Sequence, residues 1–220
     1  MDWLGPACAL ASSFTWVIGS GAYTALSKDH PPERVNFNRA LVATTLFALV
    51  TFIRREEVVQ SLAGAGGTWT TSVMWLSISI LASYAVGDIF FMRAAPLIGF
   101  PATQAVGPLF PLWATLAAWL FLGESVTQTR ALGVVLCVVG VMLIILGRAQ
   151  QTAPESRPAF AKGLLFALIC SVFWGVNSYG AAQGGKGFDP AFGNLVRMSV
   201  AVVVCFAMTA RVTPGHYWLR

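Results

Sequence analysis

The chain alternates long uncharged stretches with short polar connections. Each uncharged stretch holds enough residues for a helix that crosses a bilayer, about 17–25. These stretches are continuously apolar and do not alternate at period two, which excludes a membrane β-barrel. The sequence therefore predicts an all-α polytopic membrane helix bundle. The stretches free of Asp, Glu, Lys and Arg lie between Asp2 and Lys28, Glu57 and Asp88, Arg93 and Glu124, Arg130 and Arg148, and Lys162 and Lys186.

Seven membrane spans are predicted, at about 4–26, 35–53, 72–94, 100–122, 131–147, 163–183 and 190–210. Five follow the long uncharged stretches, and two, 35–53 and 190–210, are apolar segments that each contain one arginine. The connections are short, so consecutive spans should be antiparallel. One longer polar segment, 148–162, is predicted to be a linker that separates a five-span unit, 1–147, from a two-span unit, 163–220.

The composition also indicates a membrane protein, and it argues against nucleic-acid binding and enzyme activity. The 220 residues are 56% hydrophobic and 10% charged, whereas soluble chains carry about 25% charged residues. The net charge of +5 comes from single or paired basic residues beside apolar segments, which is typical of loops that face lipid headgroups and the cytoplasm rather than nucleic acid. The sequence holds no Ser-His-Asp set, phosphate-binding loop or metal-ligand spacing, so no enzyme, cofactor or metal site is predicted.

The most informative feature is an internal repeat. A shift of 158 residues without a gap places residues 5–51 on residues 163–209, and 13 of these 47 positions are identical. Hydrophobic bias does not produce matches at Trp, Pro, Asn and Arg. The polar and aromatic matches include Trp16 with Trp174, Ser20 with Ser178, Pro32 with Pro190, Asn36 with Asn194, and Arg39 with Arg197.

The repeat predicts two copies that are inverted in the membrane. Five spans separate the start of one copy from the start of the next, and an odd number reverses the direction of entry. Inverted repeats with a substrate site near the midplane are a recurrent plan of secondary transporters. The alternative is that the two tandem helix pairs are duplicated packing units. If the second copy mirrors the first, the seven spans belong to an expected ten, and the second copy is expected to be incomplete.

Asp88 is the only carboxylate inside a predicted span, and Tyr84 lies four residues earlier on the same helical face. An acid inside the membrane is by default a candidate functional residue, and this pair suits substrate, proton or cation binding. Alternatively, Asp88 lies near the membrane edge and pairs with Arg93 as an interfacial anchor.

Arg39 and Arg197 occupy equivalent positions about one turn inside their helices, each three residues after an Asn. Either their long side chains extend to the lipid headgroups, or their guanidinium groups face inward to bind a substrate anion or lock a gate. The prolines in Gly107-Pro108-Leu109-Phe110-Pro111 are expected to bend the fourth span.

Trp16 and Trp174 are each followed four residues later by a serine, Ser20 or Ser178. This spacing predicts a stripe on each helix that faces the interface between the repeats. Core packing and substrate binding both explain the stripe.

The chain resembles EamA-type members of the drug/metabolite transporter superfamily. The residues that carry the resemblance are PLFPLWATLAAWLFLGE at 108–124, RALGV at 130–134, Gly140-Val141 and Phe173-Trp174-Gly175, together with Arg39 and Arg197. The resemblance implies ten helices in two inverted halves around a central cavity. It also implies export or exchange of small metabolites, amino acids or drugs. Glu124 matches a family residue and is interpreted as a helix cap.

The repeat and the resemblance together predict a secondary transporter that works by alternating access, as an exporter in a plasma membrane of the bacterial inner-membrane type, with protons as the candidate coupling ion. Its expected partners are a small-molecule substrate and the lipid bilayer, with no nucleic acid. The second hypothesis is a non-transporting membrane protein, such as a sensor or an assembly partner.

Overall fold

The computed structural model describes residues 3–64, 66–123, 125, 127–186 and 188–212, and every regular element within these ranges is helical. Glu124, the predicted helix cap, lies outside the described residues. The α-helices are α1 (Leu4–Leu26), α2 (Pro32–Ile53), α3 (Arg55–Gly64), α4 (Trp69–Ile80), α5 (Asp88–Ile98), α6 (Phe100–Val106), α7 (Phe110–Leu122), α8 (Gln128–Gln150), α9 (Arg157–Gly184) and α10 (Pro190–Val212).

Each of the seven predicted spans corresponds to helical structure, and the all-α bundle is confirmed. Within the described ranges, five segments are long and apolar enough to cross a membrane: Pro32–Ile53, Gly66–Ile98, Gln128–Gln150, Pro154–Gly184 and Pro190–Val212. The first predicted span is α1. The fourth is α6 and α7 with a 3₁₀ turn, Gly107–Leu109, between them, where the prolines predicted a bend.

The predicted linker is shorter in the structure than in the sequence pattern. Helix α8 continues to Gln150 and α9 already begins at Arg157, with a 3₁₀ turn at Pro154–Ser156 between them. Pro158 lies in the first turn of α9, where a proline interrupts no intrahelical hydrogen bond. Its presence therefore did not mark a loop.

A glycine makes the tight turn between α5 and α6. Gly99 has φ 85° and ψ 148°, a region that is almost restricted to glycine. The turn is held from outside by Arg148, whose Nη2 donates a hydrogen bond to the Ile98 carbonyl at 3.3 Å. The end of the third span is thereby fixed against the end of α8.

The second helices of the two copies, α2 and α10, pack in opposite directions. Arg54 at the end of α2 forms a 2.9 Å ion pair with Asp189, which directly precedes α10. Near the start of α2, the ring of Phe37 lies 5.7 Å from that of Phe206 in the second half of α10. The two sequence copies of this helix therefore run antiparallel, as an inverted repeat requires.

The contact between α2 and α10 is also self-complementary. One core cluster contains Ala40 and Ala43 from α2 together with Met198 and Ala201 from α10. The 158-residue shift converts the first pair of positions into the second. Equivalent positions on both sides of one contact are the signature of a two-fold axis, so the pseudo-symmetry axis passes through this contact.

Helix α9 packs along the third span with almost no space between the two backbones. A Cβ atom on Gly184 would lie 2.7 Å from the Ser72 carbonyl oxygen, and one on Gly180 would lie 3.1 Å from the Trp75 carbonyl oxygen. A Cβ on Gly163, at the opposite end of α9, would lie 2.6 Å from the Cβ of Leu97. Small residues that allow close approach are the usual solution for helix association in lipid.

Helix α8 lies at the outside of the bundle. None of its residues is buried, and its exposed side chains include Leu132, Leu136 and Leu143. In a membrane protein such a face contacts lipid, which is as apolar as leucine.

Asp189 is expected to stabilise α10 mainly as its N-cap. Its Oδ1 accepts hydrogen bonds from the backbone N–H groups of Ala191 and Phe192, at 2.9 and 3.4 Å, whereas its partner Arg54 is 45% exposed. We expect Asp189→Ala to lower the free energy of unfolding in detergent by about 1–2 kcal/mol. Asp189→Asn keeps a capping oxygen and should cost under about 1 kcal/mol, because water can solvate the exposed partner Arg54. Equal losses in the two variants would contradict the capping role.

Candidate functional site

A cavity of about 800 Å³ lies between the helices of the two copies. Cavities of roughly 300–1,000 Å³ accommodate drug-sized ligands. Of the eight residues that the sequence singled out, seven line it: Trp16, Arg39, Tyr84, Asp88, Trp174, Ser178 and Arg197.

The eighth predicted residue, Ser20, is buried with an exposure of only 1% and is not among the residues that line the cavity. Its hydroxyl donates to the Val17 carbonyl at 3.2 Å and accepts a hydrogen bond from Gln104 Nε2 at 2.7 Å. Its contacts join α1 to α6, and its equivalent Ser178 faces the cavity instead.

An ion pair and an indole N–H meet at Asp88. Arg39 Nη1 lies 2.7 Å from Asp88 Oδ2, and Trp174 Nε1 donates to Asp88 Oδ1 at 2.9 Å. The Asp88 side chain is 5% exposed and that of Arg39 is 15% exposed. The carboxylate of the first copy is therefore held by one residue of its own copy and one of the second copy.

The structure shows which partners these residues have. The hypothesis that Asp88 pairs with Arg93 is wrong, because Arg93 Nη2 pairs with Glu33 Oε1 at 2.8 Å. Arg39 does not extend to the headgroups. Its guanidinium carbon lies 3.8 Å from the ring centre of Tyr23 and 4.8 Å from that of Tyr84, so two aromatic faces stabilise the inward-facing cation.

A π-helical stretch, Leu81–Gly87, directly precedes Asp88 in the third span. Such stretches are rare and are frequently found at functional sites. The Tyr84 carbonyl within it accepts a 2.8 Å hydrogen bond from Asn36 Nδ2, while Asn36 Oδ1 accepts one from Arg39 Nη1 at 2.7 Å. The fully buried Asn36 thus ties the arginine to the backbone next to Asp88.

Asn36 is a site residue that the sequence analysis did not propose. The signal for it was the repeat itself, in which an Asn precedes each arginine by three residues. The structure repeats the contact in the second copy, where Arg197 Nη1 donates to Asn194 Oδ1 at 2.9 Å. The π-helical stretch had no comparable signal in the sequence.

The indole of Trp174 is held by close contacts with residues of the first copy. Its ring stacks on Phe91 with centroids 5.4 Å apart and meets Trp16 edge-on at 5.1 Å. A Cβ atom on Gly87 would lie 2.6 Å from Trp174 Cδ1, so only glycine at this position lets the indole reach Asp88. The two repeat-related tryptophans therefore contact each other beside the ion pair.

The two arginines lie on opposite sides of the bundle's midplane. Arg39 is the eighth residue of α2 and Arg197 the eighth residue of α10, and these helices are antiparallel. Arg197 donates to Ser79 Oγ at 3.1 Å, to Asn194 Oδ1, and to Asn177 Oδ1 at 2.7 Å. Unlike Arg39, it contacts no carboxylate within the described part of the chain.

This architecture defines a class of protein, the polytopic helical membrane proteins with a ligand-sized cavity at the interface between inverted repeats. The model of the EamA-like transporter family matches residues 3–146, and the chain belongs to that family. It is accordingly a multi-pass membrane transporter of the drug/metabolite kind, in a family of transporters rather than of enzymes. No curated protein and no solved structure matches the chain significantly.

Proposed function

We propose that the chain is a secondary transporter that exports small metabolites or drugs by alternating access. The observation that carries this proposal is the position of the cavity. It lies between oppositely directed copies of one helix pair and has one arginine on either side of the midplane. We propose a plasma membrane of the bacterial inner-membrane type as its location.

The residues at the cavity give the proposed movement a structural basis. Trp174 belongs to the second copy, whereas Asp88, Phe91 and Trp16 belong to the first. If the two copies rock against each other, these contacts between copies must change. The Arg39–Asp88 pair lies within the first copy and travels with it.

Proton coupling is the second part of the proposal. As a carboxylate, Asp88 accepts hydrogen bonds from Arg39 and Trp174. A proton on Asp88 removes its charge and weakens both contacts, because hydrogen bonds to a charged acceptor are the stronger ones. Protonation would thereby release the second copy from the first, which couples a proton to the movement.

The test is solute flux through lipid vesicles that contain the purified chain. We expect uptake of at least one labelled solute from a broad metabolite and drug panel, faster with a proton gradient than without. A carrier should also show exchange, in which unlabelled solute inside the vesicles accelerates entry of the labelled solute. The matched control is Gly140→Ala, on the face of α8 where an added Cβ meets no atom within 4 Å.

Folded protein without flux above that of protein-free vesicles would overturn the proposed transport. Flux without exchange stimulation would contradict alternating access and indicate a channel-like pathway instead.

A further inference from the structure

The cavity carries an excess of positive charge. Its charged lining residues are Arg39, Asp88 and Arg197, which sum to a formal charge of +1. Arg39 and Asp88 neutralise each other at 2.7 Å. The excess charge therefore belongs to Arg197, on the other side of the midplane.

The contacts of Arg197 hold its position without neutralising it. Ser79, Asn177 and Asn194 are uncharged acceptors. Arg197 is half-buried, and removing a cation from water is costly until an opposite charge compensates it. Each of these acceptors engages a different nitrogen. One N–H on each terminal nitrogen consequently has no acceptor among the described residues, and such a pair suits two-point binding of a carboxylate.

The cavity offers no equivalent site for a substrate cation. Asp88 is the only acidic residue among the described residues that line it, and both of its oxygens already accept hydrogen bonds, from Arg39 and Trp174. A substrate ammonium group would have to displace a buried ion pair. The charge distribution therefore favours an anion over a cation and over a zwitterionic amino acid.

The remainder of the lining is suited to an apolar body. Trp16, Phe110, Trp174 and Met198 line the cavity, and the two indoles meet edge-on at 5.1 Å. Aromatic faces provide a large apolar contact area with defined geometry. A ring or chain attached to the anionic group would lie against them.

We propose, building on the transport function above, that the substrate is an organic monoanion whose carboxylate binds Arg197 and whose apolar or aromatic body contacts Trp16 and Trp174. Arg39 is a positioning residue for Asp88 and does not bind the anion.

Three probes with one ring and different charge test this assignment: benzoate, L-phenylalanine and phenethylammonium. Binding to the purified chain in detergent is followed by isothermal titration. We expect benzoate to bind at least tenfold more tightly than the other two probes. Arg197→Gln should weaken benzoate binding at least tenfold. Arg197→Lys, which keeps the charge, should lose only a few-fold.

The matched control is Arg211→Gln, which removes a positive charge from the exposed last turn of the same helix and should leave benzoate affinity unchanged. The assignment is overturned by equal binding of the three probes, by a preference for phenylalanine or phenethylammonium, or by the same loss in the Arg197 and Arg211 variants. If Arg197→Gln does not fold, the Arg197→Lys variant and the probe preference of the unaltered chain decide. Arg197-dependent benzoate binding without flux would refute the proposed transport but retain the anion site.

Discussion

Asp88→Asn is expected to lower the free energy of unfolding by about 3 kcal/mol, because it leaves the buried Arg39 without a counter-charge. The asparagine has nearly the same shape, so lost packing contributes little. The change in charge accounts for the effect, because the Arg39 side chain, which is 15% exposed, would keep only uncharged partners. Chemical denaturation in detergent, followed by circular dichroism, measures the difference.

The chain supplies a matched control in a second ion pair between α2 and α5, Glu33–Arg93. Glu33→Gln is the same acid-to-amide change on a side chain that is also buried, but its partner Arg93 is 50% exposed. Water can therefore solvate Arg93 once the carboxylate is removed, and we expect a loss of about 1 kcal/mol or less. The double variant Arg39→Gln, Asp88→Asn removes both charges and should recover much of the loss, since the two effects are coupled. A loss from Glu33→Gln as large as that from Asp88→Asn would refute the special role of the Asp88 pair.

The Asp88→Asn variant also tests proton coupling, by a measurement that does not depend on the change in stability. If Asp88 is the coupling group, any flux that Asp88→Asn retains in vesicles should no longer respond to a proton gradient. Persistence of the full response would assign proton coupling to another group, whatever the change in stability.

Much of the bundle could be predicted because the relevant signals are local or periodic. Uncharged stretches located the spans, and the 158-residue shift identified the paired arginines before any contact was known. The shift works because it compares the chain with itself. Equivalent residues such as Arg39 and Arg197 then share the bond to an Asn three residues earlier in both copies.

The partners across helices were harder to predict because they depend on packing. The Arg93 hypothesis for Asp88 failed for a reason visible in the spacing. Side chains five apart on a helix do not face each other, whereas those three or four apart do. Whether Arg39 extended outward or inward depended on Asp88, Tyr23 and Tyr84, which come from two other spans, the first and the third. The sequence of α2 alone therefore could not show which way Arg39 points.

Ser20 shows a different limit of the repeat argument. Equivalence of sequence predicted that Ser20 and Ser178 share a role, but Gln104 of α6 covers Ser20. In an inverted repeat, equivalent residues have the same place on equivalent helices. Their surroundings still differ wherever the neighbouring helices differ.

Gly184→Ala is expected to cost about 1–3 kcal/mol of stability, because the methyl group would overlap the neighbouring helix. The added Cβ would lie 2.7 Å from both the Ser72 carbonyl oxygen and Leu76 Cγ. Backbone cannot move aside as the end of a flexible side chain can. Helix α9 would have to shift away from the third span, which would also pull Trp174 from Asp88. Thermal unfolding and Trp fluorescence in detergent report the two effects.

Gly140→Ala on α8 provides the comparison, because a Cβ there meets no atom within 4 Å. Alanine is a better helix former than glycine by up to about 1 kcal/mol, so this variant should be neutral or slightly more stable. The same substitution is thus predicted to have opposite signs on two helices of one bundle. Both variants gain the same intrinsic helix propensity. The difference between their changes in unfolding free energy therefore measures the close contact between α9 and the third span. Similar changes in the two variants would contradict that contact.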